Sequence, residues 1–434
     1  MAGSLVAWLS FDQDQQQRTQ LLMAALSQQG TVDELGMGIL RDLVAGVLFP
    51  GHTVLHTRAK YLLFLPRDFI GLKGSTVEAL SKAARQAETN RIAALRRHYD
   101  PELQGKGIIG YTTGSETKQM PSGSYWGLLR RLGIYKGKGS VWDAHSALAT
   151  ERSARLQRSM FHAEDEDDQV ATGIDLWDEL PEPDDEFGGF DLSADEAAWL
   201  REKFLLSDKS SANARSLVSW LLDPDRKEWI EGVSRIWDHP RASEFPAMTA
   251  EAMWLGRDAD RLVFGARILY NYLCAVGRPD NTETRDQLVD KYKTAMSDWL
   301  TRRDELPTPD RLDQLNKWAI SRLDATHASQ AARLRWNRTM AFLTQWRKVV
   351  SASKDLLADK NAEATITRRE ALLKPGRARL VQRDRLRNWE GDSGYFEMDY
   401  NWAPAQRLID DIHVGLCTPR IEATSAAAGE GEDD

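Results

Sequence analysis

The stretch TAEAMWLGRDADRLVFGARILYNYLCAVG, Thr249 to Gly277, constrains the fold more than any other. Its centre, LVFGARILYNYL, is apolar on nearly every side, so a helix of this sequence has to be wrapped by other elements. The segments that follow it can do the wrapping. DQLVDKYKTAMSDWLTRRDEL, TPDRLDQLNKWAISRL and ASQAARLRWNRTMAFLTQWRKVVSAS all repeat apolar residues at helical spacing. LSADEAAWLREKFL opens with Ser193 and has Glu196 three residues later, the pattern of a capping box. Few segments show the period-two alternation of strands, and no fixed-period repeat is present. The expected fold is mainly α. An N-terminal helical region, with room for a small winged-helix-like unit, precedes a larger helical-bundle-like domain.

The N-terminal region reads as a series of helices. QQQRTQLLMAALSQQG stops at Gly30. Thr31 with Glu34 forms a second capping box, ahead of a stripe of Leu35, Ile39, Leu43 and Val47. FPGHTVLHTRAKYLLFLP, Phe49 to Pro66, predicts a helix capped by Thr53 and ended by Pro66. On that helix Arg58 falls in the apolar arc while Lys60 faces solvent. A buried arginine needs a partner, and Asp33, Glu34 and Asp42 are the candidates, so Arg58 is expected in a structural ion pair rather than on a phosphate. STVEALSKAARQAETNRIAALRRHY is a helix with a Ser cap, residues 103–124 are a Gly/Ser/Thr-rich loop, and SYWGLLRRLGI is a short helix stopped by Gly133.

Charge is unevenly placed. The formal net charge is −8, yet no Lys or Arg occurs between Arg158 and Arg201 while 15 acids do. The end of the chain, IEATSAAAGEGEDD, is acidic too. Without these two stretches the chain is net basic, which suits an anionic partner. The division expected from this pattern is an N-terminal domain over 1–160, an acidic flexible linker over 161–190, a C-terminal helical domain over 191–420 and a disordered acidic tail over 421–434. The linker could lie on the basic surface and weaken nucleic-acid binding, or serve as a solvated spacer.

Two distant cysteines, Cys274 and Cys417, exclude a disulfide framework and suit a reducing compartment. The N-terminus MAGSLVAWLSFDQDQQQR has no basic n-region, and no run of 18 apolar residues exists, so the expectation is cytoplasmic, with no membrane partner. Catalytic signatures are weak. Gly105, Gly107 and Gly110 in GKGIIG match a dinucleotide fingerprint, but no strand precedes them and no helix follows. GIYKGKGS lacks the spacing of a P-loop. His52 and His56 lack a third ligand and read as exposed helix-surface residues. SETK and SASK match Ser-x-x-Lys without companion motifs. No metal or cofactor is called for.

Basic clusters carry more information. Arg96, Arg97, Arg130, Arg131, Lys136 and Lys138 lie among Tyr111, Tyr125, Trp126 and Tyr135. Mobile Gly/Lys loops of this kind suit phosphate contacts. TRREALLKPGRARLVQRDRLR supplies Arg368, Arg369, Arg377, Arg379, Arg383, Arg385 and Arg387, with the planar forks that grip phosphates. The alternative for both clusters is a solvated basic face. The chain's 15 tryptophans, nine of them between Trp199 and Trp346 in or beside helical patterns, are expected to pack helices.

Four stretches carry a resemblance: TVDELGMGILRDLVAGVLFPGHTVLHTRAKYLLFLP, PSGSYWGLLRRLGI, LVFGARILYNYL and WEGDSGYFEMDYNWAPAQRLIDDIHVGL. In this order they resemble an uncharacterised bacterial domain-of-unknown-function family, over nearly the whole chain. The resemblance brings no catalytic residue. It implies a setting near anti-phage defence genes, with a helicase or a nuclease as partner subunit. The expected function is a non-enzymatic component of a defence or DNA-processing complex that binds DNA, RNA or protein through the basic clusters. An enzyme of unrecognised type, such as a nuclease or other hydrolase, and a purely protein-binding scaffold are the alternatives.

Overall fold

Helical periodicity in the sequence becomes helix almost everywhere. The computed structural model describes residues 33–99, 107–161, 174–183, 189–208, 215–225, 232–279 and 282–417. The first helices are α1 (Gly38–Leu48), α2 (Tyr61–Phe69), α3 (Val77–His98), α4 (Pro121–Arg131) and α5 (Val141–Phe161). Then come α6 (Ala194–Ser207), α7 (Leu217–Leu221), α8 (Ala247–Gly277) and α9 (Thr282–Thr301). The series ends with α10 (Pro309–Ala325), α11 (Gln330–Ala352), α12 (Lys360–Leu373) and α13 (Trp402–Cys417). Among the described residues the β pairing is a single antiparallel bridge, Tyr135 with Trp177, and no strand forms, so a wing has no counterpart there. No helix among them is long and apolar enough to cross a membrane.

Helix α8 is the central element, as its apolar centre requires. Leu262, Val263, Ala266, Ile268 and Leu269 are fully buried, and α1, α9, α10, α11 and α12 all pack against it. Two glycines let neighbours come close. A Cβ on Gly256 would stand 2.9 Å from Val44 of α1, and one on Gly265 would collide with the Trp299 indole of α9. Glycine costs helix propensity at such places but permits the crossing. One cluster of buried apolar side chains runs from Leu35 to Ile412. Tryptophans 220, 299, 336, 346, 389 and 402 are buried in it and Trp199, Trp237, Trp254 and Trp318 pack against it half-buried, as expected, whereas Trp142 on α5 is exposed; Trp8 and Trp229 lie outside the described residues.

Several local expectations change. Helix α1 starts at Gly38, where the Asp33 carboxylate accepts from the Gly38 N–H at 2.6 Å. Glu34 is no cap: its carboxylate is buried and takes Arg379 and Lys374. The expected helix over 53–66 forms only from Tyr61 onwards. The reason is tertiary. The Thr57 and Arg58 N–H groups both donate to the Tyr125 hydroxyl, at 2.7 and 3.0 Å, and the Ala59 N–H donates to Asp411 at 2.7 Å. Three successive backbone donors are thereby satisfied outside a helix. Pro66 sits inside α2 rather than ending it, within a fully buried run from Tyr61 to Pro66 that outweighs the one hydrogen bond proline removes. Helix α3 is capped by Thr76, not by Ser75. The Ser193–Glu196 capping box forms, and Gly133 closes α4 at φ +70°.

The acidic segment 161–190 is not wholly a spacer. Trp177 is buried against Phe69, Trp126 and Tyr135, and Phe190 against Tyr61 and Tyr99. Two aromatic anchors thus dock parts of a stretch whose acidity suggested solvent. Its residues 162–173 and 184–188, the stretch expected to form a helix ending at Gly30, and the tail over 421–434 lie outside the described residues.

Candidate functional site

Two ion-paired centres hold the N-terminal region to later helices. Arg58 pairs with Asp411 of α13 through Nε and Nη2, at 2.9 Å to Oδ1 in each case, and stacks over Phe190 at 4.9 Å. Burial pulls its pKa down, and the bond to Asp411 more than reverses that. The partner is thus none of the three nearby acids; it comes from 353 residues away. Lys60, expected in solvent, is 1% exposed and donates to Glu196 of α6 at 2.6 Å and to the Asp191 carbonyl at 2.7 Å. Arg67 takes the other oxygen of Glu196 at 3.0 Å.

His52 and His56 are likewise buried, not exposed, with rings 5.6 Å apart. Desolvation pushes His52 down to about 4 and His56 to about 3, the second also through the first. His56 Nε2 meets the Ser124 carbonyl at 3.0 Å, while among the described residues no hydrogen bond within the usual limits forms at either ring nitrogen of His52. Among the described residues no three His, Cys, Asp or Glu stand together as a metal would require.

A cleft of about 650 Å³ opens where α1, α11, α12 and α13 meet the loop Phe396–Asp399. Ile39, Val54, Leu373, Phe396 and Pro404 form its apolar wall. Arginines 41, 235, 335, 338, 369 and 407 surround that wall, against four carboxylates. They differ in what holds them. Arg235 pairs with Glu397 at 2.7 Å, and Arg41 with its neighbour Asp42 at 2.9 Å. Arg407 donates to the His56 carbonyl at 3.0 Å. Arg369 is buried and donates to the carbonyls of Leu35, Gly36 and Arg338. Arg335 and Arg338 are exposed on α11 and have no ion pair or side-chain hydrogen bond among the described residues.

The cleft loop is placed by the core helix. Asp260, Arg267 and Asn271 lie seven and four residues apart, on one side of α8. Asp260 accepts from the Met398 N–H at 2.9 Å, and Arg267 donates to the Phe396 carbonyl at 2.5 Å. Asn271 both donates to the Ser393 carbonyl and accepts from the Ser393 N–H. Burial raises Asp260 to about 7, against the opposing pull of Arg267. Directly after the loop, Tyr400 and Asn401 take positive φ angles of 53° and 68°. Such backbone costs about 1–3 kcal/mol per residue and persists where its surroundings hold it. Here the Tyr400 hydroxyl donates to the Gly256 carbonyl at 2.7 Å, and Asn401 Nδ2 to the His52 carbonyl at 3.1 Å. Arg267 and Asn271, the two polar positions inside LVFGARILYNYL, are therefore a legible signal of this cleft that the apolar pattern around them overshadows.

The residues expected to bind nucleic acid divide into three groups. Arg130, Arg131 and Lys136 line a shallow basic pocket with Tyr135 and three glycines, and Lys138 is exposed close by in sequence. There Arg131 pairs with Asp208, and Lys136 with Asp178 of the acidic segment at 3.4 Å. Arg96 and Arg97 are exposed at the end of α3, Arg96 over the Tyr111 ring. Arg377, Arg379 and Arg385 line a third pocket with Lys374, while Arg368, Arg383 and Arg387 are exposed. Arg369 is held by backbone carbonyls inside the protein and is not available at the surface. Gly107 and Gly110 have φ of +101° and +80°, and no α-helix follows them before Pro121, as a glycine-rich turn and not a dinucleotide site requires; Gly105 lies outside the described residues.

No curated protein and no solved structure significantly matches the chain. The model of a family of unknown function, DUF6361, matches residues 3–414, and the chain belongs to that family.

Proposed function

We propose that the protein is a nucleic-acid-binding component of a bacterial defence or DNA-processing assembly, and that the arginine cleft receives the strand. One observation carries the binding role: among the described residues Arg335 and Arg338 stand unpaired on α11, beside an apolar wall that a base can cover. Phosphates are held by arginine forks, and unstacked bases by apolar and aromatic side chains. At about 650 Å³ the cleft suits a nucleotide or a short single-stranded segment rather than a duplex. The assembly setting rests on the family resemblance alone. The test is fluorescence anisotropy of labelled single-stranded DNA and RNA at low salt. Binding that weakens steeply as salt rises is expected, because each phosphate contact releases counterions. If no binding is seen at low salt, the nucleic-acid role falls and a protein scaffold remains.

A further inference from the structure

Beyond the cleft wall lies a smaller pocket of about 340 Å³. The two meet at the end of α12, where Leu373 lines the cleft and the next residue, Lys374, lines the pocket. Four cations converge on it from three places. Lys374 follows the end of α12, Arg377 and Arg379 come from the turn after it, and Arg385 from the 3-10 turn Arg383–Asn388. Asn388 completes the lining. Among the described residues only one carboxylate, Glu34, is paired with any of these cations: it takes Lys374, and Arg379 Nη1 at 2.6 Å. Arg377 and Arg385 are in no ion pair among them.

The pocket is held in shape from below. Glu370 is fully buried and accepts from the Arg379 and Leu380 N–H groups and the Tyr270 hydroxyl, each at 2.9 Å. The turn carrying Arg377 and Arg379 is thereby fixed on a core carboxylate, with Gly376 at φ +67° making the bend. Burial, and then repulsion from Arg379 and Arg377, pushes Lys374 down to about 8. Cations fixed this close together repel one another, and an anion among them relieves that.

We propose that this pocket binds a phosphomonoester dianion. The charge count selects it over a backbone phosphodiester. Four cations against two carboxylates, Glu34 and the buried Glu370, leave a surplus that a diester's single negative charge does not match, whereas a monoester carries nearly two. Its three terminal oxygens also suit arginine forks meeting from different directions. Two sources present this group: the terminal phosphate of a strand lying in the adjoining cleft, or a free phosphate compound. The first source rests on the cleft reading, whereas the anion chemistry stands without it.

Binding would be measured for the full-length protein and for the Arg377→Gln/Arg385→Gln variant with three probes: a single-stranded 12-mer with a 5′-phosphate, the same 12-mer with a 5′-hydroxyl, and inorganic phosphate. Both arginines are exposed, so the variant is expected to melt with the parent. At least tenfold tighter binding of the phosphorylated 12-mer, abolished in the variant, supports the proposal and assigns the strand end. Equal binding of the two 12-mers, with inorganic phosphate bound by the parent and not by the variant, supports the site and assigns a free phosphate compound. Identical behaviour of parent and variant towards all three probes overturns it. The inorganic phosphate arm reads the pocket even if the cleft binds no strand.

Discussion

Lys60 and Arg335 are both cations in sequences of helical pattern, yet the protein uses them in opposite ways. Lys60 is buried under α6 with Glu196 and a carbonyl for company, and Arg335 stands at the cleft edge with none. The same contrast separates Arg58 from Arg338, and Arg369 from Arg377. A basic residue is most available to a ligand where the fold has not already given it an acceptor. Counting arginines along the chain cannot supply that distinction, because the acceptors are remote: Asp411 for Arg58, Glu34 for Arg379, the Leu35 carbonyl for Arg369.

The contrast breaks most easily on the buried side. Glu196→Ala removes the buried carboxylate that both Lys60 and Arg67 pair with, which should destabilise the protein by about 3–5 kcal/mol in chemical denaturation. Replacing Lys60 as well, in Lys60→Met/Glu196→Leu, should recover part of that loss, since Arg67 and the Ser193 cap still lack the carboxylate. If the double variant is no more stable than the single one, the burial of the pair is wrongly described. Arg58→Ala should cost about 2–4 kcal/mol, less than the first because Arg58 is part-exposed, and should change strand affinity by under about twofold. A large loss of affinity at unchanged stability would instead move Arg58 to the binding face.

A smaller effect is set by pH. His52 titrates near 4 in the folded protein against 6.5 when unfolded. Between these values the unfolded chain binds the proton and the folded one does not, so this group's contribution to stability falls as pH drops from 6.5 towards 4. Glu88 and Asp260, raised to about 7 by burial, act in the opposite direction over much of the same range, because the folded state holds their protons. The total therefore hides the effect, and the difference between parent and His52→Gln reveals it. The parent's advantage should shrink by about 2 kcal/mol between about pH 7 and 4.5. An advantage that does not vary with pH would mean that His52 is hydrated.

Helices were largely legible in the sequence, because 3.6-residue periodicity and caps such as Ser193–Glu196 are local. So was the central place of α8, since no other arrangement covers its apolar centre. The turns over 53–60 were not, because Tyr125 and Asp411 take the N–H groups a helix would use. Basic residues 377, 379 and 385 stand out as a cluster in the sequence, but their convergence on one pocket depends on the buried Glu370 beneath them. Of the cleft only the polar Arg267 and Asn271 on α8 were legible, since its arginines come from segments as far apart as Arg41 and Arg407.

The free cations of the cleft test the central claim most directly. Strand affinity would be measured against salt concentration for the parent and for Arg335→Ala/Arg338→Ala, with unfolding followed in parallel. Stability should stay within about 0.5 kcal/mol of the parent, since both side chains are exposed and unpaired. Affinity should fall at least about tenfold, and the slope of log affinity against log salt should flatten by about one to two, near one for each phosphate that is no longer held. An unchanged slope and affinity would contradict the account and place any nucleic-acid binding elsewhere on the molecule.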